Sequence, residues 1–272
     1  MLRARLATAA VAIPLLLLLI LYGPGWSLAL VVAAIAIVGV AEYATMAFQQ
    51  RPAERVLTIV LGILVVAAAA SEGEVHVLAA ALSLSVAVGL VWTLFARPDF
   101  EQGMSDLGLA LIGILYAGLL MPHFIWLRNL EAVDAHDVRG PLWVIFVLVI
   151  GMAGDTGGYM VGHALGRHKL APRISPGKTI EGSVGIMLAS LAGAVIAKLI
   201  FLPQRSWTEV LVLAFVMGVL GQLGDLSESI MKRTFGVKES GSLFPGHGGV
   251  LDRIDSLLFP VTFLYYHVAW FR

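Results

Sequence analysis

The stretch Ser229–Ser256, SIMKRTFGVKESGSLFPGHGGVLDRIDS, gathers Lys232, Arg233, Lys238, Glu239, Asp252, Arg253 and Asp255 into one short polar segment. The rest of the chain has the opposite character: 59% of it is hydrophobic, only 13% is charged, and apolar runs flank the segment on both sides. A polar island between two apolar segments reads as a loop joining membrane spans. Polar groups held near membrane depth are costly, which marks such a cluster as a functional site. Its centre, Phe244-Pro-Gly-His-Gly-Gly249, is not regular helix, because Pro245 lacks a backbone donor and glycine loses the most entropy on ordering.

Outward from this segment, apolar runs recur from end to end of the 272 residues, and the mean hydropathy is +0.90. That is far more apolar sequence than one soluble core needs. It predicts an all-α, polytopic integral membrane bundle of about nine transmembrane helices. The spans fall at roughly 6–22, 27–47, 56–71, 75–96, 107–127, 141–164, 182–202, 207–231 and 254–271. The short alternating segments of a β-barrel are absent. No repeat or low-complexity linker divides the chain, so residues 1–272 read as a single membrane domain, with 1–140 mainly scaffold and 141–272 carrying the polar motifs. The first 22 residues have the charged start and apolar middle of a signal peptide but no small-x-small site afterwards, and read as a retained first span. Balanced charge, 18 basic against 18 acidic residues, argues against nucleic acid as a partner. With no cysteine, disulfides and thiolate catalysis are excluded.

Charge also sets orientation. Of the 18 Lys and Arg residues, only Arg128, Arg139, Lys198, Arg205 and Arg272 fall on the odd-numbered side of the nine-span reading. The rest lie with the N-terminus, so the positive-inside rule predicts the N-terminus inside and the C-terminus outside. The two richest polar loops, 165–181 and 232–253, then share the cytoplasmic face.

Three groups carry chemistry. Asp155, in GMAGDTGGYMVGHALG, is an intramembrane carboxylate on a segment whose Gly154, Gly158, Gly162 and Gly166 form one smooth face for close helix packing. The loop Lys169–Gly182, KLAPRISPGKTIEG, offers Arg173, Lys178, Ser175 and Thr179 on a backbone bent by prolines, a mixture suited to phosphate. It is not a Walker A loop, since Pro172 stands where glycine is required. In GQLGDLSESIMKR, Asp225, Glu228, Ser229 and Lys232 line one helix face, while Asp252, Asp255 and Ser256 line the start of the last helix. Carboxylates converging on one pocket repel unless a cation lies between them, and oxygen ligands without cysteine favour Mg²⁺. Together these residues describe a Mg²⁺–polyphosphate site at the cytoplasmic membrane boundary, suited to phosphoryl or nucleotidyl transfer to a lipid.

The run Ser229, Lys232-Arg233, Lys238-Glu239, Pro245-Gly-His-Gly-Gly249 and Asp252-Arg253-Ile254-Asp255 closely resembles the signature of the phosphatidate cytidylyltransferase (CDP-diacylglycerol synthase) family. Lys169-Leu-Ala-Pro172 and Ser175-Pro-Gly-Lys-Thr179 resemble the family's middle motif, and Asp155 matches its intramembrane aspartate. The motifs cover about 150–256; earlier, Glu42 and Tyr116 sit where such proteins tend to carry those residues. Glu239 stands where the family usually has Asp, and His163 where a basic residue is common.

The resemblance implies the reaction CTP + phosphatidic acid → CDP-diacylglycerol + pyrophosphate in phospholipid biosynthesis. It implies catalytic roles for Asp225, Lys232, Asp252, Arg253 and Asp255, and substrate binding by Ser175, Lys178, Thr179, Ser229, Arg233, Lys238, His247, Gly248 and Gly249. Mg²⁺ would be held by Asp225, Asp252 and Asp255, with Asp155 a further candidate, and a second, monovalent cation is compatible with the site. The membrane would be a bacterial-type cytoplasmic membrane, and a glycine-rich bundle also allows a homodimer. Two rivals stand beside this reading. A CTP-dependent polyprenol or dolichol kinase would need a base to deprotonate a lipid alcohol. An ion-coupled secondary transporter would show paired inverted halves, whereas nearly all motifs here lie in the second half.

Overall fold

The structure, a computed structural model, describes residues 13–71, 75–96, 99–132, 137–243 and 248–271. It is a bundle of helices: α1 (Ile13–Tyr22), α2 (Gly25–Ala47), α3 (Pro52–Ala70), α4 (Val75–Ala96), α5 (Phe100–Gly113), α6 (His123–Arg128), α7 (Gly140–Leu165), α8 (Ile180–Ile200), α9 (Trp207–Thr234) and α10 (Leu251–Trp270). Seven described spans are long and apolar enough to cross a membrane, counting Phe100–Arg128 as one. The 23 residues of α2, for instance, rise roughly 35 Å. The two remaining places of the nine-span reading belong to α1, described only from residue 13, and to α10, whose first two turns carry Asp252, Arg253 and Asp255.

Local chemistry sets the ends of these helices. Ser206 accepts a hydrogen bond from the Glu209 amide (3.1 Å) and starts α9; Thr179 does the same for Gly182 (3.1 Å) and starts α8. Such side-chain acceptors satisfy donors that a helix leaves unpaired. The opening turn of α10 differs, because no side chain of its own N-cap residue, Val250, serves it.

The core is a layer of large apolar side chains, with Trp143, Phe146, Tyr43 and Leu213 almost fully buried. Exposed Leu188, Leu199, Ile200, Phe95 and Val91 face outward, as expected where lipid is the solvent. Helix α7 lies against α8 through small residues. A Cβ at Gly157 would meet Ala189 and the Gly185 carbonyl, and a Cβ at Gly185 would meet Val161 and the Gly157 carbonyl. The glycine face read from Gly154, Gly158 and Gly162 is therefore used within the chain: those positions pack on Ile186, Ser190, Thr179 and Gly182 of α8 and its cap.

Two local features depart from plain helices and loops. The polar loop after α7 is an antiparallel hairpin, β1 (Lys169–Ala171) against β2 (Ser175–Thr179), with Lys169 opposite Thr179 and Ala171 opposite Ser175. Pro172 and Pro176 forbid helix there, and the Ile174 amide closes the turn on the Ala171 carbonyl at 3.1 Å. Glu181 ties the hairpin base by accepting from the amides of Arg167 (3.1 Å) and His168 (3.2 Å). Between α5 and α6, residues Ile114–Leu119 form a π-helical segment, a geometry common at functional sites. It carries Tyr116 into the interior.

Helix α5 offers a simple check. Gly108 is exposed within it and a Cβ there meets nothing within 4 Å. Gly108→Ala should leave activity intact and raise stability by about 0.5–1 kcal/mol, read as a small rise in melting temperature; a fall would mean that α5 is packed differently.

Candidate active site

The hairpin, the end of α9 and the start of α10 meet at one end of the bundle. Arg233 donates from Nε to the Ile174 carbonyl (3.1 Å), which ties α9 to the hairpin turn. Lys178 on β2 reaches Asp225 on α9 at 2.5 Å. In the turn after α2, Gln49 donates to the Phe235 carbonyl (2.8 Å), so the segment after α9 is fastened to the N-terminal half as well.

Two polar sub-sites result. The first is a cavity of about 410 Å³ between α7, α8, α9 and the hairpin, with Asp155, Lys178, Thr179, Ser183, Gln222 and Asp225 among its lining residues. Tyr159 and His163 stack on its α7 wall, 5.9 Å between centroids. Ser183 donates to the Gln222 side-chain amide oxygen, Oε1, across α8 and α9, and Ser256 from α10 approaches Asp155 at 3.5 Å. Two carboxylates and one ammonium beside an apolar wall suit a ligand with a phosphate at one end and hydrocarbon at the other only when a further cation offsets the second carboxylate.

The second sub-site is built on Lys232. Its ammonium lies 2.5 Å from Glu228 and 2.5 Å from Asp252. Asp252 is saturated: its other oxygen accepts from the Ser240 amide (2.9 Å), the Ser240 hydroxyl (2.8 Å) and the Gly249 amide (2.8 Å). Gly248 has φ +77°, and a Cβ there would lie 2.6 Å from Asp252, so this position requires glycine both for its backbone and for room. Glu228 and Asp255 are buried. Asp255 accepts from the Ser256 amide at 2.7 Å and feels the charges of both Asp225 and Glu228. The Tyr116 hydroxyl, buried near the same carboxylates, has no hydrogen-bond partner among the described residues.

The sequence-read residues thus divide. Asp155, Lys178, Thr179 and Asp225 share the cavity. Lys232, Asp252 and Gly249 share the second sub-site. Ser175 lies on β2 and Ser229 is buried in α9, Arg233 is engaged by the hairpin, and Lys238 and Arg253 are exposed. The charge of Arg253 acts on Asp155. His247 lies outside the described residues. Glu42 and Ser240, absent from the sequence-read site, turn out to hold it; the signals for Glu42 were a carboxylate in an otherwise apolar N-terminal span and its match to a position where the resembled family tends to carry one, and Ser240 had none.

The donor set bears on a metal. Among the described residues no three His, Cys, Asp or Glu side chains converge on one point. Yet Asp155, Asp225, Glu228, Asp252 and Asp255 outnumber Lys178, Lys232 and Arg253, and all their donors are hard oxygens. Mg²⁺ is commonly held by one or two carboxylates, with water and substrate phosphates completing its shell. The residues fit such an ion arriving with a polyphosphate. A cation at Asp252 would have to take the place of Lys232.

Comparison with known proteins decides the family. The model of a family described as "Cytidylyltransferase family" matches residues 3–271. The chain belongs to the cytidylyltransferase family. Among similar proteins, the phosphatidate cytidylyltransferase of Staphylococcus epidermidis is 33% identical over 267 residues, 97% of either chain. That of Bacillus subtilis is 38% identical over 182 residues, 67% of this chain and 65% of the relative. That of Brucella suis is 38% identical over 170 residues, 62% and 60% respectively. The matches to the last two relatives thus span a little under two thirds of their length.

Proposed function

We infer that this chain is a phosphatidate cytidylyltransferase, converting CTP and phosphatidic acid to CDP-diacylglycerol and pyrophosphate in phospholipid biosynthesis. The observation that carries the reading is the placement of Lys178–Asp225 and Lys232–Asp252 side by side at one end of an apolar bundle, in a chain of this family. An oxygen of the lipid phosphate forms the new bond to the α-phosphorus of CTP, and the bond from that phosphorus to the β-bridging oxygen breaks. Pyrophosphate leaves with the electron pair. A phosphomonoester with a second pKa of about 6 is already largely ionised near neutral pH, so no strong base is required. Catalysis is positioning plus charge neutralisation.

Lys178 holds the lipid phosphate at the cavity, while the acyl chains stay beside the apolar wall of α7 and α8. Lys232 and Arg253 offset charge on the triphosphate, and the amides around Gly248 and Gly249 with Ser240 shape the loop that meets it. One or two carboxylates, Asp225 and, once Lys232 moves aside, Asp252, would hold Mg²⁺ with Asp255 behind them, and the ion would supply neutralisation of the triphosphate oxygens; a monovalent cation would be a second occupant. The excess of Lys and Arg in the polar loops supports a site on the cytoplasmic face; the reading is of a bacterial-type cytoplasmic membrane with the N-terminus inside and the C-terminus outside. A homodimer would use faces other than the α7 glycine stripe, which α8 occupies.

The test is to incubate detergent-purified protein with CTP, phosphatidic acid and Mg²⁺, and to follow pyrophosphate and CDP-lipid together. Equal amounts of both are expected, and chelation should stop both. Removing the ammonium in Lys178→Met should raise KM for phosphatidic acid about tenfold or more, since one charge-assisted contact to phosphate contributes about 1.5–3 kcal/mol. An unchanged KM would remove Lys178 from the lipid site.

A further inference from the structure

The N-terminal half contributes one side chain to the second sub-site, and its geometry is specific. Glu42, near the end of α2, takes three hydrogen bonds: from the Val250 amide (2.9 Å), the Leu251 amide (2.9 Å) and the Ser240 hydroxyl (3.1 Å). Val250 and Leu251 open α10, where amides have no partner within the helix, and no side chain of the N-cap residue serves them. A carboxylate from a helix some two hundred residues earlier in the chain fills that role. It also complements the positive end of the helix dipole. The backbone is fitted to it, for a Cβ at Gly241 or at Gly249 would fall on the Glu42 carboxylate.

Ser240 joins Glu42 to Asp252. Its hydroxyl lies 2.8 Å from Asp252 and 3.1 Å from Glu42. A hydroxyl carries one proton and donates to one acceptor fully at a time. Glu42 and Asp252, one from each half of the chain, therefore grip the same loop from two sides, and Asp252 in turn holds the Lys232 ammonium.

We propose that Glu42 is a positioning residue for nucleotidyl transfer: from the N-terminal half, it fixes the opening turn of α10 and the segment around Ser240, and so sets where Asp252 and Lys232 stand. The proposal rests on the cytidylyltransferase reading. Glu42 does not touch the reacting atoms. Its removal leaves the Lys178–Asp225 cavity intact while loosening the Lys232–Asp252 side.

The experiment compares wild type, Glu42→Gln and Glu42→Asp in detergent, measuring kcat, KM for each substrate, and amide hydrogen exchange. Gln keeps the volume but turns one acceptor into a donor facing amides. Expected for Glu42→Gln is a loss of about 10–100-fold in kcat, with KM for phosphatidic acid changed less than about threefold. Exchange at Val250 and Leu251 should rise about tenfold or more while the interior of α10 stays protected. Glu42→Asp, which keeps the charge on a shorter arm, should recover part of the kcat. Should Glu42→Gln not fold, Gly241→Ala displaces the same carboxylate without removing it and should give the same kinetic and exchange pattern. Wild-type kcat in Glu42→Gln, or exchange rising evenly along α10 with every constant falling together, would overturn the proposal. If wild type itself lacks the reaction, the functional reading fails separately, and unchanged exchange at Val250 and Leu251 would then still dispose of the role given to Glu42.

Discussion

Asp252→Asn should lower kcat by on the order of 10²–10³-fold. One Asp252 oxygen faces the Lys232 ammonium and the other faces three donors, the Ser240 amide, the Ser240 hydroxyl and the Gly249 amide. An asparagine must turn its NH₂ group toward one side or the other, and either choice sets donor against donor. Side-chain exposure of the pair is only 12% and 13%, so the loss of one partner also costs stability, about 3 kcal/mol at the lower end of the range for buried pairs. Glu228 at 2.5 Å still holds Lys232, which limits the damage to folding and draws the ammonium away from the triphosphate. Steady-state kinetics with a thermal melt separates the two effects. More than half of the wild-type kcat in a folded Asp252→Asn protein would show that Asp252 is no part of the machinery.

Gly157→Val and Gly185→Val should each abolish accumulation of folded protein. At these crossing points of α7 and α8 the added atoms meet backbone, the Gly185 carbonyl for one and the Gly157 carbonyl for the other, as well as the Cβ atoms of Ala189 and Val161. Backbone cannot rotate away, so the helices must separate. Overpacking of a rigid core costs about 1–3 kcal/mol and sometimes more, and here the separation also widens the cavity that carries Lys178 and Asp155. Gly158→Ala makes the informative contrast, since its Cβ would meet the Ile186 side chain, which has other rotamers. It should fold with a modest loss of melting temperature. Equal behaviour of the Gly157 and Gly158 variants, measured by expression and by gel filtration in detergent, would refute the close α7–α8 packing.

Much of the architecture was legible from the sequence because the bilayer demands long apolar runs, and such runs can be counted. Asp155 and Asp225 were legible for the same reason, since they stand out where apolar residues are the rule, and Asp252 through the polar segment that joins two apolar runs. The pairing of those charges was not legible. Spacing along α9 puts Glu228 and Lys232 on one face, but nothing local says that Lys232 also reaches Asp252, or that Lys178 on the hairpin reaches Asp225. These are contacts between distant segments, fixed by packing. The hairpin at 169–179 was read only as a bent loop, since its strands are three and five residues long and broken by proline. Glu42 was visible as an oddity, while its partners, two backbone amides and a serine in the last third of the chain, could be found only once α2 and α10 were seen together.

The central claim is that the cytidylyl group of CTP passes to the phosphate of a membrane lipid at this pair of sub-sites. The most direct measurement supplies CTP labelled at either the α- or the γ-phosphorus, with phosphatidic acid and Mg²⁺, and counts label in the extracted lipid. The account predicts α-label in the lipid, γ-label wholly in released pyrophosphate, and neither in Asp225→Asn. Label from the γ-phosphorus in the lipid would contradict it and make the chain a lipid kinase.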